Sequence, residues 1–526
     1  LNGTEIHRTG MPAGSITSDT LATPANGEAS LLGPVSVPVS NAVAGTNRLS
    51  VEVHQESAGS PDIVFGLDLG ITYGTPALPF RRSTEQWVEL LNRGTSTVDL
   101  SGWSFAEGLS YQFPQGTTLG PGAHLVVARD PAGLLKKHPG IDALGPFGGK
   151  LARDGEDIRL RDADNNPADE VRYFDSGRWP GTADGGGSSL ELRDPDADNN
   201  IAESWAASDS SSHTTWQNYS YTGTAAASRV GPDNQWREFV FGLLTAGEVL
   251  VDDLSLIEEG TTQLIGNGDF ESGTEGFRLI GNHRHGSVIP DPDNPANNVL
   301  RIVATGPTEH MHNHIETNLI GPRRVTNGRE YTISFRARWV SGSPQLHTRV
   351  YFNRLPKTTI VATPSRSGTP GAPNTTATPN AGPTYTNLNH SPAVPAPGAP
   401  VTVSVEATDP DGVAALTLFY SVASGGFASV PMTASARTYT ASLLGQAASS
   451  VVQFYILAED ELGASEFFPA AGPDSRAAYK VDDGRAATSG AHNIRIVMTS
   501  GDRDFFYRVT NVMSNDRMPC TVIVNE

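Results

Sequence analysis

Histidines crowd one short stretch of this chain: five of its 13 lie between His283 and His314. His283 and His285 come first, and His310-Met-His-Asn-His314 follows. If the second run is a strand, its period of two places His310, His312, His314 and Glu316 on one face, with Met311, Asn313 and Ile315 on the other. Three neutral imidazoles and a carboxylate are donors suited to zinc or another borderline metal, and His283 and His285 could add to the set. Successive side chains on one strand face lie roughly 7 Å apart, so a single tetrahedral ion requires a bend or bulge. The competing readings are a structural hydrogen-bonding surface and a sugar-binding face. In the latter, His283, His285 and their neighbours donate to hydroxyls beside Trp339 or Tyr351, although such aromatics also serve as core residues.

Three acidic loops suit calcium, which takes six to eight oxygens. They are Asp162-Ala-Asp-Asn-Asn166, Asp194-Pro-Asp-Ala-Asp198 and Asp409-Pro-Asp-Gly412. None carries the distant Glu of an EF-hand loop, and Asx turns explain the first two more simply. At Asp409 and Asp411, after a strand at a sandwich end, calcium and turn chemistry both stand. No G-x-S-x-G, H-E-x-x-H or Walker-type glycine loop occurs, so no catalytic residue is assigned. Cys520, the single cysteine, follows a proline within an expected strand and is read as a buried, inert thiol. One cysteine makes no internal disulfide and no CxxC pair.

The elements that must position these residues are short strands. In 526 residues there are 55 Gly and 37 Pro with few long helical patterns, which points to an all-β chain of several tandem sandwiches. A formal net charge of −20 without a Lys/Arg run repels a phosphate backbone and argues against nucleic acid. No apolar stretch approaches the roughly 20 residues of a membrane-spanning helix.

Residues 1–69 end in two alternating runs, Asn47-Arg-Leu-Ser-Val-Glu-Val-His54 and Asp62-Ile-Val-Phe-Gly-Leu-Asp-Leu69, both expected to be strands. With Leu1-Asn-Gly-Thr-Glu-Ile they resemble the C-terminal half of the galactose-binding-like jelly rolls of secreted bacterial proteins. Residues 77–208 carry Trp87-Val-Glu-Leu-Leu-Asn92, Val98-Asp-Leu-Ser-Gly-Trp103, Leu119-Gly-Pro-Gly-Ala-His-Leu-Val-Val-Ala128 and Ile158-Arg-Leu-Arg-Asp162. This order resembles the lamin tail domain, an immunoglobulin-like sandwich.

Residues 213–362 contain Val249-Leu-Val-Asp-Asp-Leu-Ser-Leu256, Asn267-Gly-Asp-Phe-Glu271 and Tyr331-Thr-Ile-Ser-Phe-Arg-Ala-Arg-Trp339. The first two resemble hallmarks of carbohydrate-binding-module jelly rolls, but in reversed order. Either two incomplete copies abut or one sandwich is built in permuted order. The resemblance places a structural calcium near Asp269 and Glu271.

Residues 363–398, rich in Pro, Thr, Ser, Gly and Asn without apolar periodicity, are expected to be a flexible or extended linker. Residues 399–484 show strands at the spacing of an immunoglobulin or fibronectin III-like sandwich. Residues 490–526, with His492-Asn-Ile-Arg-Ile-Val-Met-Thr499 and Asn511-Val-Met-Ser-Asn-Asp-Arg-Met-Pro-Cys-Thr-Val-Ile-Val-Asn-Glu526, resemble the opening strands of the CotH kinase family. Together these resemblances imply a secreted or cell-surface bacterial protein, its non-catalytic forepart binding a carbohydrate or surface protein ahead of a CotH-like domain. An accessory region of an extracytoplasmic kinase and a His-rich metal-binding module are the alternatives.

Overall fold

A computed structural model describes residues 1–23, 35, 40–43, 47–59, 85–184, 186–226, 237–308, 312–351, 354–486, 492–511 and 514–524. The chain divides into two compact units, Leu1–Arg82 and Ser83–Glu526. It is nearly all β.

In the first unit the expected strand over 47–54 does not form, and the run over 62–69 lies outside the described residues. A strand needs a ladder partner for its N–H and C=O groups. Here Asn2 N–H donates to Arg48 O and Ala22 N–H to Gln55 O as isolated bonds. Val51 and Val53 stay exposed, so the jelly-roll half expected over 1–69 has no ladder among the described residues.

The second unit opens with a small sandwich. Trp87–Leu91 pairs with His124–Ala128, which takes Ala143–Leu144 in parallel. The facing sheet runs Pro167–Tyr173, Glu156–Arg161, Ser104–Glu107, Leu109–Gln112 and Gly148–Gly149. Inward alternation buries Phe105, Leu109, Phe113, Val127 and Leu160 in one core. A short helix, Pro131–Lys137, starts where Asp130 accepts from Gly133 N and Pro131 pre-sets the first turn.

One sandwich follows, and it resolves the order of the two hallmark motifs. Its first sheet runs Gln217–Thr224, Glu330–Gly342, Gly247–Glu258, Asn294–Ala304 and Ser287–Asp291. The second runs Phe277–Ile280, His314–Asn318, Glu238–Leu243, Gln345–Val350 and Arg354–Ile360. Strands before and after Asn267 interleave in both sheets, and Phe239, Val251, Phe270, Ile302, Ile333 and Trp339 share one core. Residues 217–360 therefore form a single sandwich built in permuted order. The two motifs meet in space: Leu254 N–H donates to Gly268 O, and a Cβ on Gly268 would lie 1.9 Å from Leu254 O. Asn267 holds that turn by donating to Gly273 O and Glu275 O and accepting from Ser272 N–H.

The last sandwich pairs a sheet of Thr384–Ser391, Val401–Thr408, Thr438–Leu443 and Thr433–Ser435 with one of Ala428–Pro431, Val413–Val422, Val451–Asp460 and Ser465–Phe468. The expected linker over 363–398 is corrected twice. Its end is the strand Thr384–Ser391, and its start is clamped to the first sandwich at Glu89 and to the two-stranded hairpin Leu190–Leu192 with Trp205–Ala207 that follows it. Glu191, 2% exposed, accepts from the Thr375 hydroxyl at 2.7 Å and from the Thr376 N–H and hydroxyl at 3.1 Å. Gly371 N–H donates to Glu89, Asn374 to Leu192 O, and Ala381 N–H to Asp194. Hydroxyls and backbone amides anchored on buried carboxylates replace apolar burial, so no apolar period marks the segment. Finally, Ile494–Val497 pairs with Thr521–Val524, and Cys520 just before it is exposed rather than buried.

Candidate functional site

The outer face of the sheet holding His314–Asn318 carries a row of buried and half-buried ionic groups. Phe239, Phe241, Ile315, Leu346 and Val350 point inward, so alternation turns Glu238, Val240, His314, Glu316, His347 and Arg349 outward. The register sets Arg278, Glu316, Val240 and Arg349 side by side across four strands. Arg278 contacts Glu316, whose other oxygen meets His314 Nε2 at 2.9 Å. Burial opposes ionisation of Glu316, but His314 and Arg278 outweigh it and hold the carboxyl below its ordinary range. Glu238 goes the other way, pushed up by burial and then by the charge of Glu316. Burial also pulls down His347 and Arg349, and His347 Nδ1 lies 3.1 Å from the Thr358 hydroxyl. Desolvated cations and carboxylates arranged on a rigid sheet suit a polar, hydroxyl-rich ligand.

One end of this face is walled. His283 is fully buried over Gly242, where a Cβ would come within 2.6 Å of its Nε2. That nitrogen accepts from Leu243 N–H at 2.9 Å, so Nδ1 carries the proton donated to Asn282 Oδ1 at 2.6 Å. Burial, with some repulsion from His314, pushes His283 down to about 3. It is a neutral structural histidine, and its assignment as a ligand-binding residue is corrected. His285 is turned away as well, toward Asp516 at 3.4 Å. Asp516, its side chain 1% exposed, also binds Arg284 and the Thr305 hydroxyl; these partners overcome burial and hold it at about 2. Asn313, buried between His312 and His314, accepts from Ser514 and from Asn515 N–H, tying the C-terminal segment to the same wall.

The aromatic candidates differ. Trp339 is 2% exposed, donates to Gly342 O and packs in the core, so it makes no sugar platform. Tyr351, 8% exposed, continues the outward parity of Gln345–Val350 and lies near Glu238, which with burial raises its pKa. Among the described residues no three His, Cys, Asp or Glu side chains gather to hold an ion. His310 lies outside the described residues, His312 sits in a turn before the strand, and His314 and Glu316 engage each other. Asp269 is exposed, while Glu271 is spent on Asn298 N–H and side-chain amide, both at 2.8 Å. Asp409 accepts from Asp411 N–H at 2.8 Å, an Asx turn. Asp162 does the same with Asp164 and Asn166 N–H.

Residues 262–376 match a carbohydrate binding domain family. The match starts after the strands Gln217–Thr224, Glu238–Leu243 and Gly247–Glu258, which the permuted sandwich nevertheless requires. Residues 68–175 match the lamin tail domain. No curated protein gives a match. Among solved structures, a Br derivative of BhCBM56 is similar at 15% identity over 13% of this chain and 71% of that one, with a TM-score of 0.12. Purple acid phosphatase PPD1 from yellow lupin (Lupinus luteus) seeds is similar at 10% identity, 53% and 43% coverage and a TM-score of 0.15. A Ca2+-stabilized adhesin with which an Antarctic bacterium binds ice gives 12% identity, 78% and 74% coverage and 0.15. Scores this low carry no argument about this chain. The matched domains are binding and immunoglobulin-like rather than catalytic, which makes this a binding or scaffolding region.

Glu238, Arg278, His347 and Arg349 were missed by sequence reasoning. The alternation of Gln345-Leu-His-Thr-Arg-Val350 contains the signal for two of them.

Proposed function

We propose that the permuted sandwich binds carbohydrate on the outer face built by Arg278, Glu316, Glu238, His347 and Arg349, inside a secreted or cell-surface scaffold. The observation that carries this reading is the carbohydrate-binding match over a sandwich whose one outer face collects half-buried cations and carboxylates. Arg349 and His347 donate to ring hydroxyls, and Glu238 and Glu316 accept from them. The flanking sandwiches space and orient the site, since residues 363–383 are clamped rather than loose. Arg349→Ala in the full chain should weaken retention at least ten-fold on the glycans that the wild type binds in an array; equal retention would refute this assignment.

A second reading concerns residues 490–526. Ile494, Ile496, Val522 and Val524 form cross-strand pairs and are 53–65% exposed. Four apolar side chains on one face favour a further packing layer, and the resemblance of this segment to the opening strands of the CotH kinase family supports that reading. Labelling that finds these four side chains open to solvent in the native protein would contradict it.

A further inference from the structure

The last sandwich carries an aromatic surface that its fold does not require. Along Val413–Val422 and Val451–Asp460 the core takes Leu416, Leu418, Val452, Phe454 and Ile456. The opposite face of an antiparallel sheet is ordinarily polar. Here Phe419 and Tyr455 are cross-strand partners on that face, their rings parallel within 4° and 4.9 Å apart. Phe427 meets Tyr455 edge-on at 5.0 Å, and Phe467, on the neighbouring strand, meets it edge-on at 5.6 Å. Phe427 is 38% and Phe467 39% exposed. Neither is placed by chance of a loose loop: Ser421 donates to Gly425 O and fixes the turn carrying Phe427, while Phe467 is paired with Leu457 and backed by Gly472, where a Cβ would lie 3.1 Å from the ring.

The rim decides what such a surface can hold. The register places Ser429 beside Phe419, Thr417 beside Leu457, and Ser465 beside Glu459. Among these named positions Glu459 is the single charged side chain, and the cations at the neighbouring strand, Arg476 and Lys480, are held by Asp502 and Asp483. An anionic ligand or a membrane surface would call for cations there. A protein interface would favour Arg among the aromatics and a charged rim. Aromatic rings rimmed by hydroxyls match the two sides of a neutral sugar, with its C–H face on the rings and its hydroxyls at the rim.

We propose that Phe419, Phe427, Tyr455 and Phe467 form a second binding site, for uncharged glycan, with the sugar rings seated on Phe427 and Phe467. This deepens, and in its choice of ligand rests on, the carbohydrate reading of the preceding sandwich. Two sites held in one chain add avidity of roughly 10²–10⁴ over either alone when geometry lets both engage.

The test is retention of the full chain on cellulose, chitin and curdlan, measured as bound fraction at half-saturating load. Phe427→Ser with Phe467→Ser should lower it at least five-fold on the polysaccharide that retains wild type. Phe467→Trp keeps a ring and should keep retention, which separates loss of the platform from loss of the fold. Arg349→Ala runs in parallel. If it removes retention while the double Phe variant does not, this site is refuted and the other face stands; the reverse leaves this site and removes the other. Absence of retention of wild type on all three polysaccharides overturns the proposal. So does self-association in sedimentation that the double variant abolishes, because the occupant is then a second copy of the chain.

Discussion

Protonation of the His283 wall should unlatch the sandwich in acid. His283 is pushed down to about 3 in the folded protein from an ordinary value of 6.5, by burial with some repulsion from His314. Below pH 6.5 the unfolded chain takes a proton that the folded chain refuses, so stability falls as pH falls and the loss completes near pH 3. At about 1.36 kcal/mol per pH unit, the cost is roughly 2.7 kcal/mol at pH 4.5 and about 5 kcal/mol at full extent. Hydrogen exchange of peptides covering Glu238–Leu243, corrected for the intrinsic rate at each pH, reads this directly. Protection that reports global opening should fall close to ten-fold per pH unit between 6.5 and 4.5. His283→Gln, whose amide oxygen can still accept from Leu243 N–H, should flatten that slope. Equal slopes in wild type and variant would refute the assignment of His283 as a neutral latch.

Three further outcomes are expected. Glu89 is pushed up to about 7 by burial and by Glu191, against the Gly371 N–H bond. A raised carboxyl stabilises the clamp below the unfolded value of 4.5 and loses that contribution as pH rises through 7, so proteolysis within 363–383 should quicken between pH 5 and 8, and Glu89→Gln should remove the dependence. Glu191→Ala leaves the Thr375 and Thr376 donors without their acceptor and should cost about 1–3 kcal/mol, read as about five-fold or more faster cleavage of the same segment. Gly268→Ala drives a Cβ into Leu254 O and should lower the unfolding midpoint of the permuted sandwich by the equivalent of about 3 kcal/mol or more, with little change in the last sandwich.

The sandwiches were legible because alternation is a property of neighbouring residues. Val401-Thr-Val-Ser-Val-Glu-Ala407 shows its buried face without a partner strand, and the structure buries Val401, Val403, Val405 and Ala407. The permutation was visible as a choice, and sheet pairing made it. The clamp was not legible, since Thr375 and Thr376 depend on a carboxylate 184 and 185 residues away. Nor was the role of the histidines, which share a residue type but not an environment: His283 is sealed over Gly242, His285 reaches Asp516, and His314 reaches Glu316. Alternation over 47–54 misled, because a pattern of side chains does not supply the backbone's hydrogen-bonding partner.

Carbohydrate binding on the outer sheet face of the permuted sandwich is the proposal on which the other readings rest. A glycan array of the full chain with His347→Ala and Arg349→Ala tests it most directly. The account predicts that the wild type retains a defined set of glycans and that each substitution weakens them at least ten-fold while protection of Glu238–Leu243 is kept. Retention unchanged in both variants, or no glycan bound by the wild type, would contradict it.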